Sequence, residues 1–157
     1  DVQGVILPLR TSTELATAIA TLTRRFPGER IIVQSLLSRE IEIILGIHRD
    51  PVFGPIAVMG IGGIYAEVFN RKQFFVPPLS PAAIMEEMVS GPLGFFFRWT
   101  RGSVAIDANT VSALIAALLL LADENPIVQS LDVNPLLVYN GGKDVIAADL
   151  KILLKKS

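Results

Sequence analysis

The sequence predicts an α+β domain of the broad α/β class, with a mixed but largely antiparallel sheet and helices packed on it. Three observations predict this class. Short runs rich in Ile, Val and Leu recur as candidate strands, helix-start signals precede longer segments of helical periodicity, and a hairpin turn lies near the C-terminus. The chain has 157 residues, 51% of them hydrophobic. A chain of this size can bury one core, so we expect residues 1–157 to form a single domain.

The first half of the chain is expected to contain one helix and a series of strands. Thr11 and Glu14 have the spacing of a capping box, so a helix should begin there and reach about Arg25. The expected strands lie at 5–9, 30–36, 41–47, 55–59, 64–69 and 73–76. We expect the strands 30–36 and 41–47 to be antiparallel neighbours, because a short polar turn joins them.

The second half is expected to contain two helices and a hairpin. Ser80 followed by Pro81 predicts a helix that reaches about Val89, and Asp107 predicts the N-cap of a longer helix over 108–124. The aromatic stretch 91–102 between them should be irregular. The last expected strands are 128–133, 136–139 and 144–152, with a hairpin turn at 140–142.

Composition excludes several classes of function. The net charge is −1, and the 14 basic residues are spread along the chain, which argues against a nucleic-acid surface. There is no cysteine and only one histidine, so thiolate and histidine-cluster metal sites are excluded. The most apolar run, Ala113 to Ala122, is too short to span a bilayer. We therefore expect a cytoplasmic protein that binds neither nucleic acid nor membranes.

The C-terminal hairpin carries a group of oxygen donors. Asp132 and Asn134 alternate with apolar residues, so both project from one face of their strand, and Asp149 lies on the returning strand. Three hard oxygen donors suit Mg²⁺, which takes its remaining ligands from water and phosphates. Spacing alone also allows a second interpretation, in which these three residues are the solvent face of a half-exposed hairpin.

The same residues carry a family resemblance. The segment Asp132-x-Asn134-Pro135-Leu136-Leu137, a turn, and then Ala148-Asp149-x-Lys151-Ile152 resembles the end of the ATP-grasp domain in succinyl-CoA synthetase β subunits and ADP-forming acyl-CoA synthetases. Other segments of that family occur in the same order: Val33-Gln34, Glu42-x-x-x-Gly46, Arg49-Asp50-Pro51-x-Phe53-Gly54-Pro55, Gly60-x-Gly62-Gly63-Ile64-x-x-Glu67, Pro77-Pro78-Leu79 and Arg101-Gly102. Because the chain also begins at Asp1, we expect the C-terminal portion of an ATP-grasp domain, cut from a longer chain.

The resemblance implies a site for ATP or ADP with Mg²⁺. Asn134 and Asp149 would hold the metal. The implied nucleotide-binding residues are Gln34, Glu42, Glu67 and Asp132. Two alternatives stay open: Gln34 as a surface glutamine and Glu67 as an exposed strand residue. Glu42, acidic in an aliphatic strand, should face the nucleotide cleft or pair with a base. No catalytic residue is assigned, and His48 is interpreted as structural. The family usually has a basic residue about where Phe75 stands, and its loss would weaken charge stabilisation near the phosphates.

The implied activity is that of an acid-thiol ligase, the ADP-forming acyl-CoA synthetase. It proceeds through an acyl phosphate and a phosphohistidine carried elsewhere, with a CoA-binding domain or subunit of the same enzyme as partner, and possible oligomers. The isolated fragment is expected to be inactive. Two alternatives stay open. One is the ligand-sensing synthetase-like domain of a protein-lysine acetyltransferase. The other is a non-catalytic subunit-assembly domain, suggested by the aromatic run Phe95-Phe96-Phe97 with Trp99 unless that run packs on its own core.

Overall fold

The structure is a computed structural model that describes residues 4–37, 41–63, 71–98, 105–139 and 142–155. The chain divides into two compact units, Asp1–Ser38 and Arg39–Ser157. All the described strands lie in the second unit. Within the described ranges, no helix is long and apolar enough to cross a membrane.

The first unit is built on helix α1, Ser12–Arg25. The Thr11 hydroxyl accepts a hydrogen bond from the Glu14 N–H, and the Glu14 carboxylate accepts one from the Thr11 N–H, both at 3.2 Å. The predicted capping box is therefore confirmed. Arg24 and Arg25 lie in the last turn, where cations are favoured by the helix dipole. The helix begins and ends where the sequence predicts.

The two strands predicted for the first unit are not found among its described residues. Residues 5–9 and 30–36 have no strand structure; both segments instead line an open cavity of about 520 Å³ that α1 also borders. Their apolar side chains stay exposed, 75% for Val5 and 77% for Ile32. These strand predictions were wrong because β-propensity describes the fit to a paired, half-buried surface, and here the segments face a cavity.

The second unit contains an antiparallel sheet of six described strands. They are β1 Ile41–Asp50, β2 Gly54–Ile61, β3 Lys72–Phe75, β4 Val128–Tyr139, β5 Asp144–Ala147 and β6 Leu150–Leu154. The order is β3-β2-β1-β4-β5, with β6 also paired to β4. Every pairing is antiparallel, which confirms the predicted sheet. The neighbour predicted for β1 was wrong: a strand has two edges, and those of β1 pair with β2 and β4.

Two α-helices cover one face of this sheet. Helix α2 is Pro81–Ser90 and helix α3 is Ala108–Glu124. The Ser80 hydroxyl caps α2 by accepting from the third residue of the helix at 3.2 Å, and Asp107 caps α3 at 3.1 Å. Both predicted helix starts are confirmed. The helices bury their apolar positions at a spacing of three or four residues, at Ile84, Met88, Val111, Ile115 and Leu119.

Alternate side chains of the strands meet these helices and form the core. The covered face carries residues that are at most 5% exposed, among them Ile43, Leu45, Ile47, Ala57, Met59, Phe75, Leu131 and Val133. Each fully buried aliphatic side chain stabilises the fold by about 1.5–3 kcal/mol. The intervening side chains point away from the helices and form what we call the open face, which carries His48, Val58, Phe74, Asp132 and Asn134.

The aromatic segment packs mainly on its own core. A short 3₁₀ helix spans Gly94–Phe97. Phe97 is buried, Phe96 is half-buried, and Phe95 is 37% exposed with its ring centroid 4.0 Å from that of Phe96. Trp99 lies outside the described residues. The burial of this segment favours a loop packed on its own core over a subunit interface.

The family segment that begins at Arg49 connects β1 to the end of α3. The Arg49 guanidinium donates hydrogen bonds to the main-chain oxygens of Val128, at 3.1 Å, and of Ala122. A cation at the carbonyl end of a helix also interacts favourably with the helix dipole. This segment therefore has a structural role, and His48, which precedes it, is exposed on the open face with no role assigned.

Replacing Arg49 with Met should destabilise the fold by about 2 kcal/mol, because hydrogen bonds from a charged donor to these carbonyls are lost. Urea-induced unfolding measures the change. Arg71→Met is a matched control, since Arg71 is exposed, and we expect its unfolding midpoint to stay close to that of the wild type. Equal midpoints for the two variants would rule out the anchoring role of Arg49.

Two carboxylates in the second unit have lowered pKa values. The N–H groups of Phe53 and Val52, which donate to Asp50, hold the pKa of its carboxyl below the ordinary 3.8. At the start of α3, the Thr110 hydroxyl donates to Asp107 at 2.8 Å and lowers the pKa of that carboxyl. A folded-state pKa below the unfolded value stabilises the protein above about pH 3.8, and this contribution is lost as the pH falls through the folded value.

The variant Asp107→Asn tests this linkage, because Asn keeps a capping oxygen but does not titrate. We expect the variant to be less stable than the wild type at pH 7, and the difference to narrow as the pH falls below 3.8, the ordinary pKa of the carboxyl. Urea midpoints at pH 7 and near pH 3 give both values. A difference that does not change with pH would contradict the assignment.

Candidate metal and nucleotide site

The predicted metal ligands lie on β4 and on the chain that returns beside it. β5 and β6 pair with β4 in one register from Ser130 to Tyr139, and the register shifts only between Val128 and Ser130. Between them, the Asn134 N–H donates to the Asp149 carbonyl at 3.2 Å, and the Ala148 N–H donates to the Pro135 carbonyl at 3.0 Å. Asn134 is therefore directly opposite Asp149. The strand predicted at 144–152 is instead two strands. The break between them falls at Ala148 and Asp149, which are not in regular strand structure.

The register brings three oxygen-bearing side chains together. Residues directly opposite on antiparallel strands have their side chains on the same face, with Cα atoms about 5.5 Å apart when they exchange hydrogen bonds. Asp132 and Asn134 are exposed and Val133 between them is buried, so both belong to the open face, as the alternation predicts. Asp149 is also exposed. The carboxylates and the amide thus lie along one edge of the open face.

A β-bulge lies at the candidate ligand itself. The register of β1 against β4 shifts between Ile43 and Leu45, so Asn134 and Pro135 of β4 together stand opposite the single residue Ile44. Proline has no N–H to donate to the ladder, which explains why the pairing is interrupted at this point of a central strand. Bulges of this kind re-aim a side chain and are common beside active sites. The strands predicted at 128–133 and 136–139 are therefore one strand with a bulge.

The donor set fits Mg²⁺. Carboxylate and amide oxygens are hard ligands of the kind that Mg²⁺ takes, and their exposure leaves room for water and phosphate. Within the part of the chain that the structure describes, no group of three or more His, Cys, Asp or Glu side chains could hold a metal ion. A metal held by the Asn134 amide oxygen and the Asp149 carboxylate would take its remaining ligands from water or phosphate.

Glu42 lies apart from these three residues. It is half-buried in β1, opposite Leu137 of β4, which is three positions beyond Asn134. Its main-chain oxygen accepts a 2.8 Å hydrogen bond from the Gly62 N–H. A Cβ built on Gly63 would lie 3.1 Å from the Glu42 carboxylate, and Gly63 has a φ of +61°. Glycine is required there because the carboxylate lies against the backbone in a left-handed conformation.

The other two predicted nucleotide contacts, Gln34 and Glu67, stay predictions. Gln34 belongs to the first unit, where it is exposed and lines the 520 Å³ cavity. Glu67 lies outside the described residues. A further cavity of about 580 Å³ in the second unit, between the turn at Phe53 and the end of α3, contains none of the predicted site residues. The candidate metal site is defined by strand register and donor chemistry. Neither of these two cavities is lined by Asn134 or Asp149.

The hydrophobic residue at position 75 removes no positive charge from the open face. Phe75 is fully buried opposite Ala57 on the helix-covered face, so the change from a basic residue at this position removes no charge from the open face. The expectation of weakened charge stabilisation does not follow from this position.

Lys151, which was not predicted as a site residue, is exposed and directly opposite Asp132. The sequence indicates this position because Lys151 follows Asp149 by two residues, and such residues share one face of an extended chain.

Comparison with known families places the chain. An ATP-grasp domain model matches residues 1–154, so the chain belongs to the ATP-grasp family. The helix-covered antiparallel sheet is thus part of an ATP-grasp domain.

Similar proteins include acyl-CoA synthases and ligases. The chain is 26% identical to a trans-feruloyl-CoA synthase from an unknown prokaryotic organism, over 99% of this chain and 23% of the relative. It is 26% identical to the β subunit of ADP-forming acetate–CoA ligase I of Pyrococcus furiosus, over 98% and 68%. An acetyl-coenzyme A synthetase 1 from Ca. Korarchaeum cryptofilum, solved with coenzyme A and Mg-AMPPCP, has a TM-score of 0.80 and 28% identity, covering 98% of this chain and 69% of that chain. The chain spans about a quarter of the length of the first of these relatives.

Proposed function

We propose that this chain is the nucleotide- and magnesium-binding portion of an ADP-forming acyl-CoA synthetase. The reaction converts an acyl-CoA, ADP and phosphate into a carboxylate, CoA and ATP, and runs in either direction. One observation carries the proposal: Asn134 stands opposite Asp149 at a bulge on the open face of an ATP-grasp sheet. The similarity to ADP-forming acetate–CoA ligases supports the same reaction class.

In this proposal the site binds and orients the phosphates of the nucleotide. Asn134 and Asp149 hold Mg²⁺ through their side-chain oxygens, and Asp132 lies beside them on the same face. Mg²⁺ bound there would neutralise the phosphate charges that otherwise repel an incoming nucleophile. Most of the rate enhancement of phosphoryl transfer comes from such positioning and charge stabilisation, so ligands fixed on two paired strands are suited to the task.

The remaining assignments belong to the same proposal. Glu42, Gln34 and Glu67 contact the nucleotide, and residues 1–157 act together as one domain, the C-terminal portion of the ATP-grasp domain. The acyl phosphate and the phosphohistidine are handled elsewhere in the enzyme, in a CoA-binding domain or subunit that is the partner of this chain. The absence of cysteine is compatible with the cytoplasm, which we propose as its location.

A coupled assay of the full-length protein tests the function. ATP formation should require ADP, phosphate, Mg²⁺ and an acyl-CoA, with one or a few members of an acyl-CoA panel strongly preferred. The panel should include acetyl-CoA and aromatic acyl-CoAs, and GDP should be tested beside ADP. A folded protein that binds Mg-ADP but forms no ATP with any acyl-CoA would contradict the synthetase proposal.

The same preparation distinguishes the two alternatives. A protein-lysine acetyltransferase would transfer the acetyl group of acetyl-CoA to lysine residues of a protein without forming ATP. A subunit-assembly domain would neither form ATP nor bind Mg-nucleotide. The burial of Phe97 argues against an interface at the aromatic segment, so the synthetase remains the function that the site supports best.

A further inference from the structure

The open face carries a cation beside the proposed metal ligands. Lys151 of β6 is the register partner of Asp132 of β4. Their side chains therefore lie on the same face, with Cα atoms about 5.5 Å apart. Lys151 also follows Asp149 by two residues, which in an extended chain puts both side chains on one face about 7 Å apart. The ammonium group is thus within reach of a ligand held by Asn134 and Asp149.

The strand on the other side of Asp132 places no charged side chain beside it. The residue opposite Asp132 on β1 is Gly46, which has no side chain to project over the carboxylate. A Cβ at Gly46 would come within 3.1 Å of the Val58 side chain and 3.7 Å of the Leu131 carbonyl. The Val58 side chain therefore covers Gly46, which is buried, and the exposed part of this row is Asp132 with Lys151.

Asp132 does not compete strongly for the ammonium group. Both side chains are exposed, and exposed Lys–Asp pairs contribute little because water and salt screen them. A phosphate offers more negative charge and three acceptor oxygens, and charge-assisted hydrogen bonds to phosphate are among the stronger ones in proteins. A lysine next to an exposed carboxylate can therefore still bind a phosphate oxygen.

We propose that Lys151 binds the terminal phosphate of the nucleotide, next to the metal held by Asn134 and Asp149. This inference rests on the proposed function and adds a phosphate-binding residue to it. The compact ammonium group supplies three donors on a flexible stem, which suits a phosphate whose position changes between ADP and ATP.

Calorimetric titration of the full-length protein with Mg-ATP, Mg-ADP and AMP tests this role. Lys151→Met should raise the Kd for Mg-ATP and Mg-ADP about tenfold, the loss expected for one charge-assisted hydrogen bond. AMP lacks the terminal phosphates, so its Kd should stay within about twofold. Lys155→Met is the matched control. It removes the same charge from an exposed side chain four residues, or about 13 Å, further along, where screening leaves little effect.

The outcomes separate the two proposals. A wild-type protein that binds no Mg-nucleotide would overturn the proposed function. If Asp149→Ala weakens nucleotide binding while Lys151→Met and Lys155→Met show the same small change, the role of Lys151 is overturned and the proposed function is not. Equal losses for AMP and ATP would also overturn it, since the contact would not be to the terminal phosphate. Lys151→Arg should retain most of the affinity. If Lys151→Met does not fold by circular dichroism, Lys151→Gln replaces it in the comparison.

Discussion

Asp149→Ala and Asn134→Ala are each expected to lower ATP formation by the full-length protein about a hundredfold at a fixed, moderate Mg²⁺ concentration. Each variant removes an oxygen ligand. Metal stabilisation of phosphoryl transfer amounts to several kcal/mol, and each 1.36 kcal/mol lost from it lowers the rate tenfold. Raising the Mg²⁺ concentration should restore part of the activity of both variants, because the remaining ligands still bind the ion weakly. Initial rates across a Mg²⁺ series measure both effects.

Gln129→Ala provides the control for these variants. Gln129 is an exposed polar residue of the same strand, outside the group of oxygen donors, and its replacement should leave the rate and the Mg²⁺ dependence unchanged. Asn134 and Asp149 are exposed, so their variants should unfold at nearly the same temperature as the wild type. Full activity in both variants at low Mg²⁺ would show that the metal is held elsewhere.

Gly94→Ala should destabilise the protein by about 3 kcal/mol, the upper end of the range for overpacking a core. A Cβ at Gly94 would lie only 2.0 Å from the Val89 carbonyl oxygen and 2.8 Å from its carbon. The obstruction is backbone at the end of α2, which cannot rotate away as a side chain can. The melting temperature should fall by roughly 6–12 °C for a domain of this size.

Gly4→Ala is the matched control for the change at Gly94. The same methyl group at Gly4 would meet only the Phe26 ring, at 3.9 Å, which is an ordinary van der Waals contact. Its melting temperature should remain within about 2 °C of the wild type. If Gly94→Ala unfolds at the same temperature as Gly4→Ala, the close approach between Gly94 and Val89 does not constrain the fold.

The helices were predictable because their start signals are local. Thr11 with Glu14, Ser80 with Pro81, and Asp107 each satisfy N–H groups within the first turn of the helix that they begin. No distant partner is needed for such a cap. The boundaries of the three α-helices among the described residues therefore follow from the sequence to within one or two residues.

Strand pairing was less predictable because it depends on distant segments. The alternation of β1 fits a strand, but only tertiary structure decides that its neighbours are β2 and β4. Residues 30–36 have comparable propensity and form no strand, since they face a cavity. The bulge at Asn134 could have been inferred from Pro135, which cannot donate to a ladder in a central strand.

For the candidate site, the sequence predicts the residue types and the structure adds their arrangement. Alternation along β4 predicts that Asp132 and Asn134 share a face. Only the register with the returning chain puts Asn134 opposite Asp149 and Lys151 opposite Asp132. Glu42 of β1, by contrast, stands opposite Leu137, three positions beyond Asn134 along β4, and its carboxylate lies near Gly63. Its contact with the nucleotide stays a prediction, as do those of Gln34 and Glu67.

The central claim is that Asn134 and Asp149 together hold the metal of the nucleotide. Its most direct test is a crystal structure of the full-length protein with a non-hydrolysable ATP analogue and Mn²⁺ in place of Mg²⁺, with the metal located by anomalous scattering. We expect an anomalous peak about 2 Å from the Asn134 Oδ1 and from an Asp149 carboxylate oxygen, with phosphate oxygens completing its coordination. A peak bound to the phosphates but away from both residues would contradict the claim.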